Sequence, residues 1–385
     1  MGIEKIIREK VNRLYLIKHH LFRKAKKNQL TRVVEDICGL HAQASTTPYL
    51  SLWGRVEDFQ NALLDQVLFK DKILVKTWCM RGTLHIIPSE DLPVYNKALR
   101  RMWLEQHEPS NHAPGWPSIE ERKRLIYPKI LEALSQQPLA RSDLGARLRQ
   151  LLKDDSMPYQ SFFSAWGGIL KETAYQGLTV HAQPCGRESC FARLDEWLPH
   201  INLDKIDEDQ AKERLLIKYL HGYGPASLQD FSTWSGLNVT DFKKTVESVR
   251  SQLEEIEIEG VKGRFLMLRE DLKTLDSIDL KEKAPVSLLP KFDSILLGHK
   301  DRTRIIEDEY RKYVFKPKVG DIAATVLVDG KVVGTWSQEK SRRVLAVMVT
   351  PFEKIRKEDL KEVEEKAREL SQFMGFDELE FSTVS

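Results

Sequence analysis

The sequence has few cysteines, almost no excess of one charge and no long apolar stretch, and each of these absences narrows what the protein can be. Four cysteines among 385 residues do not make the disulfide framework of a small secreted protein, so we expect reduced thiols. No segment approaches the roughly 18 consecutive apolar residues of a membrane span. The N-terminus has no apolar core of a secretory signal. The sequence therefore predicts a cytoplasmic protein without membrane contact.

Charge is unevenly distributed although its sum is small. The chain carries 60 Lys and Arg against 57 Asp and Glu, a formal net charge of +3, which by itself gives no reason to expect a nucleic-acid partner. Up to Arg32, however, there are ten basic residues and only two acidic ones. A cationic face on a leading helix suits phosphate contacts, whose affinity would fall steeply with salt. The alternative is a solvated helix face balanced by acids elsewhere, such as Glu254 and Glu259.

A helix–strand–hairpin pattern occurs three times along the chain, over residues 1–112, 118–200 and 206–272. The second and third copies are the clearest, because each ends in two strands joined by a polar turn, at Cys185–Glu188 and at Gly260–Gly263. A segment rich in Pro, Asn, His and Gly, residues 108–117, indicates a linker after the first copy. Three helices followed by a β-hairpin are typical of a winged helix, which most often places one helix in a nucleic-acid groove. Neighbouring copies can stack into a longer surface.

The last part of the chain, residues 284–385, differs from the repeats. Two alternating segments, Ala323–Val328 and Lys331–Trp336, flank Asp329-Gly330, the strongest short hairpin signal in the sequence. A further strand is followed by an amphipathic helix from about Lys357 to Met374. This pattern predicts a small β-barrel or antiparallel sheet covered by a helix, and hence an α+β protein.

Residues 40–47 contain the pattern most suggestive of chemistry. In extended backbone, residues two apart project to the same side, so His41 and Gln43 would point together. Such a pair can hold a water molecule, because the imidazole accepts its proton and the carboxamide orients it. The structural alternative is a polar loop in which His41 caps the next helix.

Several short segments, spread over nearly the whole chain, follow one another in the order known from one protein family. They are Gly39–Gln43, Leu52–Arg55, Arg81–His85 with Pro88, Glu90 and Asp91, Tyr223–Pro225, Leu289–Asp293, Arg302 and Val332–Trp336. Through them the chain resembles the AlkZ/YcaQ-type winged-helix DNA glycosylases. The resemblance implies tandem winged helices and a C-terminal β-barrel arranged as a C-shaped clamp. It also implies excision of alkylated purines and, in some members, unhooking of interstrand crosslinks.

The resemblance gives the pair at positions 41 and 43 a catalytic role. The family's motif is two polar residues flanking an apolar one, often Gln-x-Gln or Gln-x-Asp, whereas His41 and Gln43 resemble a His-x-Gln branch linked to the removal of bulky adducts. His41 would act as a base or an electrostatic stabiliser, and Gln43 would position the water. A purine alkylated at N7 or N3 is cationic and leaves without a proton, so a well-placed base could contribute about 10²–10⁴-fold. We expect no metal and no organic cofactor.

Further residues are candidates for contacts with double-stranded DNA, namely Arg81, His85, Lys76, Arg55 and Arg302. For Arg81 and His85 the structural alternative is a turn cation and a strand-face histidine that pairs with Glu90 or Asp91. The resemblance makes Asp293 a candidate contributor to the site, whereas an intradomain salt bridge is its structural interpretation.

We therefore predict a monomeric, monofunctional DNA glycosylase acting on alkylated bases in double-stranded DNA. No lysine lies within residues 41–47, which weighs against a Schiff-base lyase. We expect an open cleft that reads a bulky lesion in place instead of a tight pocket for a flipped nucleotide. The alternative is a non-catalytic winged-helix DNA-binding regulator or lesion-binding protein. A nuclease is disfavoured because the sequence has no cluster of acids for a metal site.

Overall fold

The structure of the protein is a computed structural model that describes residues 4–107, 115–164, 167–317 and 320–384. Most of the predicted linker at 108–117 lies outside the described residues. Helices and strands alternate along the chain, as the α+β prediction required. The chain forms two compact units. We call residues 1–64 and 216–385 the discontinuous unit, and residues 65–215 the inserted unit.

The discontinuous unit contains both helices and strands. Its α-helices are Arg8–Lys18, Leu30–Asp36, Thr47–Trp53, Leu228–Ser235, Phe242–Ser248, Asp271–Asp276, Arg311–Val314 and Lys357–Phe373. Its strands are Glu4–Ile6, Leu40–His41, Leu253–Ile258, Phe265–Leu268, Ser287–Leu289, Phe315–Lys316, Asp321–Ile322, Thr325–Val328, Lys331–Lys340, Val344–Pro351 and Glu378–Thr383. The helices Asn61–Asp65 and Glu208–Tyr223 contain the boundaries between the units.

The hairpin predicted in the third repeat is confirmed. Leu253–Ile258 pairs antiparallel with Phe265–Leu268, and Glu4–Ile6 adds a parallel strand at the other side. The three strands bury Ile6, Ile256 and Met267 in one apolar core. This hairpin is therefore part of a small sheet that the N-terminus completes.

The C-terminal sheet is open and mixed, so the barrel alternative is wrong. Its order is Ser287–Leu289, Thr325–Val328, Lys331–Lys340, Val344–Pro351, Glu378–Thr383, and the last pair runs parallel. The first and last strands form edges within the described residues. The predicted turn is confirmed: Asp329 and Gly330 have φ of 45° and 78°, as a tight hairpin requires. The predicted helix Lys357–Phe373 buries Val363, Ala367 and Leu370.

The inserted unit is built around one sheet. Its strands lie side by side in the order Leu84–Pro88, Leu74–Trp78, Thr179–Cys185, Glu188–Arg193, Leu139–Ala140. Lys76 is opposite His181, so the hairpins of the first and second repeats share a sheet. The surrounding helices are Gln66–Lys70, Leu92–His107, Ile119–Glu121, Arg122–Ile126, Tyr127–Leu134, Arg141–Leu152, Tyr159–Phe162, Gly168–Tyr175 and Leu194–Trp197.

The expectation that the cysteines are reduced thiols was wrong for two of them. Cys185 and Cys190 are bonded to each other across the hairpin of the second repeat. The crosslink joins residues only five positions apart, so it closes a local loop and not a framework. No helix in the described ranges has both the length and the apolarity needed to cross a membrane.

Several basic residues near the N-terminus have internal partners instead of forming a free cationic face. Arg13 is buried and pairs with Asp329 at 3.1 Å. Lys18 pairs with Asp271 at 2.6 Å, and burial lowers the pKa of Lys18. Because these guanidinium and ammonium groups are enclosed, the phosphate interpretation is wrong for them. Lys26, in contrast, is exposed.

Candidate active site

The segment with the predicted catalytic pair leaves helix Leu30–Asp36 through a sharp turn. Gly39 has a φ of 98°, a conformation that glycine adopts far more readily than other residues. His41 ends the short strand that follows and is 4% exposed, whereas Gln43 is exposed. The imidazole therefore lies largely out of bulk water, and the carboxamide two residues later is at the surface.

The segment Leu289–Asp293, another of those that resemble the family, packs against His41. The rings of His41 and Phe292 are stacked, with centroids 4.9 Å apart and an interplanar angle of 14°. Phe292 has a φ of 58°, a left-handed conformation that costs a non-glycine residue roughly 1–2 kcal/mol. The surrounding contacts must therefore hold Phe292 in place.

Hydrogen bonds join the two segments on both sides of His41 and Gln43. The hydroxyl of Ser294 donates to the carbonyl oxygen of Gly39 at 3.1 Å. The hydroxyl of Thr47 donates to the carbonyl oxygen of Lys291 at 2.8 Å. The backbone that carries His41 is thus fixed to the backbone that carries Phe292.

A buried ion pair anchors the same loop. Two guanidinium nitrogens of Arg55 donate to the two carboxylate oxygens of Asp293 at 2.6 and 2.9 Å, and the Ser51 hydroxyl donates to one of them at 3.0 Å. Both charged side chains are 0% exposed. Asp293 thus forms a salt bridge, but its partner Arg55 lies in the predicted 1–112 unit, so the bridge is not the intradomain one expected. The predicted DNA contact of Arg55 is wrong because its guanidinium is enclosed.

Two other segments that resemble the family, Tyr223–Pro225 and Val332–Trp336, contact the backbone next to these residues. The Tyr223 hydroxyl donates to the carbonyl oxygen of Ile37 at 3.0 Å, just before the segment that contains His41 and Gln43. The indole of Trp336 donates to the carbonyl oxygen of Leu289 at 2.8 Å. Segments far apart in the sequence therefore meet around residues 37–43. Phe292 lies in a segment that resembles the family, but no role was predicted for it from the sequence.

The polar residues after Asp293 are mainly structural. The Nε atom of Arg302 donates to the carbonyl oxygen of Leu296 at 3.0 Å, and its guanidinium lies over the Phe315 ring, 4.2 Å from the centroid. Burial lowers the pKa of this arginine. His299 is also buried, and burial together with Arg304 lowers its pKa to about 3. His299 is therefore neutral at physiological pH.

The other predicted DNA contacts belong to the inserted unit. Arg81 lies in the turn Met80–Gly82 with a φ of 54°, which confirms the predicted hairpin. His85 is 3% exposed, and its Nδ1 atom lies 3.0 Å from the carbonyl oxygen of Thr83. Lys76 is half-buried in the strand Leu74–Trp78, and burial lowers its pKa.

Comparison with known proteins identifies the class. Residues 34–373 match the family model of the AlkZ-like DNA glycosylases. A curated relative from Streptomyces sahachiroi, named an interstrand DNA cross-link repair glycosylase, is 28% identical over 364 residues, covering 90% of this chain and 91% of the relative. The solved structure of Streptomyces sahachiroi DNA glycosylase AlkZ has a TM-score of 0.82 and 25% identity, covering 99% of this chain and 100% of that one.

These matches define a DNA glycosylase, an enzyme that hydrolyses N-glycosyl bonds in DNA repair. Because the family model covers most of the chain, the chain belongs to the AlkZ-like DNA glycosylase family. The resemblance noted in the sequence is thereby confirmed.

Proposed function

We propose that this enzyme is a monofunctional glycosylase for purines alkylated at N7 or N3, including bulky or crosslinked adducts. His41 acts as the base or electrostatic stabiliser, and Gln43 positions the water. The observation that carries this proposal is the placement of the pair. An imidazole that is 4% exposed and stacked on Phe292 is followed, two residues on, by an exposed carboxamide.

This placement suits hydrolysis of a base that is already a good leaving group. The alkylated purine is cationic, so it takes the glycosidic electron pair and leaves as a neutral molecule. The water oxygen bonds to C1′ of the sugar, and the water gives its proton to His41. A correctly placed base is expected to contribute about 10²–10⁴-fold to the rate. Since residues 41–47 contain no lysine, hydrolysis is favoured over a Schiff-base intermediate.

The choice of a bulky or crosslinked substrate rests on two considerations. The curated relative is named for interstrand cross-link repair, and the histidine at position 41 resembles the branch linked to bulky adducts. An adduct of that size does not enter a tight pocket easily. We therefore propose that the lesion is read in an open cleft.

We also propose that the protein binds double-stranded DNA as a monomer through tandem winged helices at 1–112, 118–200 and 206–272, with residues 284–385 completing a clamp. The helices and hairpins of the second and third repeats support this organisation. The proposed DNA contacts are Lys76, Arg81, His85 and Arg302. Lys76, Arg81 and Arg302 are half-buried and keep part of their side chains accessible to phosphates, whereas the buried His85 is the least accessible of the four. We place the enzyme in the cytoplasm, associated with the nucleoid when it is bound to DNA.

The test uses a duplex that contains one N7-methylguanine. After incubation with the enzyme, hot alkali cleaves every abasic site, and strand breaks are counted on a gel. We expect breaks with the wild-type protein and background levels with a His41→Ala, Gln43→Ala double variant that still binds the duplex. Gln60→Ala is the matched control, since Gln60 is an exposed glutamine of the same unit. Binding without breaks in the wild type would instead support a lesion-binding protein.

A further inference from the structure

The ring pair of His41 and Phe292 has a geometry that matters for a charge on the imidazole. The rings are nearly parallel, at 14°, and their centroids are 4.9 Å apart. The face of a phenyl ring carries negative electrostatic potential. A cation within about 6 Å of a ring centroid, over its face, is attracted to it. The stack therefore favours the imidazolium over the neutral imidazole.

Phe292 is held in this position by contacts that do not involve its own ring. Its neighbour Asp293 is fixed by the enclosed pair with Arg55, and the carbonyl oxygen of Lys291 accepts a hydrogen bond from Thr47. With both flanking residues anchored, the backbone keeps the left-handed φ of 58°. Such a conformation persists where the surroundings over-determine it, which is common at functional sites.

We propose that Phe292 is a positioning residue for His41: its ring fixes the plane of the imidazole and supports the positive charge formed when His41 takes a proton from water. This inference rests on the proposed function, in which His41 is the base. It assigns to the segment Leu289–Asp293 a part in catalysis through Phe292.

The test compares single-turnover excision of N7-methylguanine across a pH series for the wild type and four variants, namely Phe292→Leu, Phe292→Tyr, Phe352→Leu and His41→Ala. Phe292→Leu keeps an apolar side chain but removes the ring face, and Phe292→Tyr restores it. Phe352→Leu is the matched control, because Phe352 stacks on Tyr310 at 4.8 Å and 17°, whereas the ring stacked on His41 is that of Phe292. Thermal unfolding and duplex binding are measured for each variant.

We expect Phe292→Leu to lower the maximal rate by about tenfold. The base works only when neutral, and loss of the ring face makes its protonation less favourable. The acidic limb of the pH–rate profile should therefore move to lower pH, by up to about one unit. Phe292→Tyr and Phe352→Leu should keep both the rate and the position of the limb.

Two results would overturn the inference. In one, Phe292→Leu has the rate and the pH profile of the wild type. In the other, it loses rate without any shift of the limb, as a purely packing role predicts. Including His41→Ala separates this failure from failure of the proposed function. An inactive His41→Ala beside a normal Phe292→Leu rejects only the role of Phe292, whereas an active His41→Ala rejects the proposed function itself.

Discussion

Replacing Asp293 by Asn should strongly destabilise the discontinuous unit. The substitution preserves the shape of the side chain but removes its charge, and it leaves the guanidinium of Arg55 buried without a counter-ion. Both side chains are 0% exposed, and the pair is held by contacts of 2.6 and 2.9 Å. Removing one partner of a buried pair costs about 3–5 kcal/mol, and whole proteins are stable by only about 5–15 kcal/mol. We expect a loss near the lower end, about 3 kcal/mol, because Asn can still accept a hydrogen bond.

The assay is urea unfolding followed by circular dichroism and tryptophan fluorescence, with the denaturation midpoint compared at equal slope. The matched control is Asp377→Asn. Asp377 pairs with Arg343 at 2.9 Å, but the two side chains are 63% and 72% exposed. An exposed pair of this kind contributes less than about 1 kcal/mol.

A companion variant tests the reason for the effect. Replacing Arg55 by Met and Asp293 by Leu together removes the uncompensated charge, so the double variant should be more stable than Asp293→Asn. Equal midpoint shifts for Asp293→Asn and Asp377→Asn would show that burial of the Arg55–Asp293 pair adds nothing to its effect. A double variant that is the least stable of the series would show that the unpaired charge of Arg55 is not the cause.

Two further predictions concern the inserted unit. Burial lowers the pKa of Lys171 to about 8, whereas the pKa of a lysine in an unfolded chain is about 10.4. Between these two pH values the unfolded chain binds more protons than the folded protein, so the stability of the folded protein should rise with pH. Lys171→Met should remove that rise in melting temperature between pH 8 and 10.4; an identical rise in the variant would contradict the assignment. Gly82 has a φ of 67°, and a Cβ there would lie 1.9 Å from the ring of Trp103. Gly82→Ala should therefore lower the melting temperature more than Gly186→Ala, because Gly186 has the same φ but open space around it. Equal decreases would show that the Trp103 ring moves aside to make room for the methyl group.

Features encoded by neighbouring residues could be predicted from the sequence. The turn at Asp329-Gly330 follows from two adjacent residues that tolerate positive φ, and the helix Lys357–Phe373 follows from its apolar periodicity. The candidate catalytic segment, residues 40–47, was also recognised locally, from the spacing of His41 and Gln43.

Features that depend on contacts between residues far apart in the chain could not be predicted from the sequence. Nothing local to Phe292 indicates that it stacks on His41. The burial of Arg55 depends on a carboxylate that comes much later in the chain, and an arginine is usually exposed, so a DNA contact was the natural expectation. The single sheet joined at Lys76 and His181 likewise depends on long-range pairing, which no local pattern specifies.

The bond between Cys185 and Cys190 was missed for a different reason. The number of cysteines argued against a framework, and that argument says nothing about one local crosslink. The two residues lie on paired strands of a tight hairpin, whereas the prediction had placed Cys185 in the turn.

Whether His41 and Gln43 direct one water molecule at the sugar can be decided by measuring DNA binding and base release separately. The measurement is the dissociation constant of an N7-methylguanine duplex, together with the single-turnover rate of base release at saturating enzyme, for the wild type and Gln43→Ala. We predict nearly unchanged binding and a rate lowered by about 10². A variant that loses binding and rate by the same factor would show that Gln43 acts in DNA binding and does not position the water.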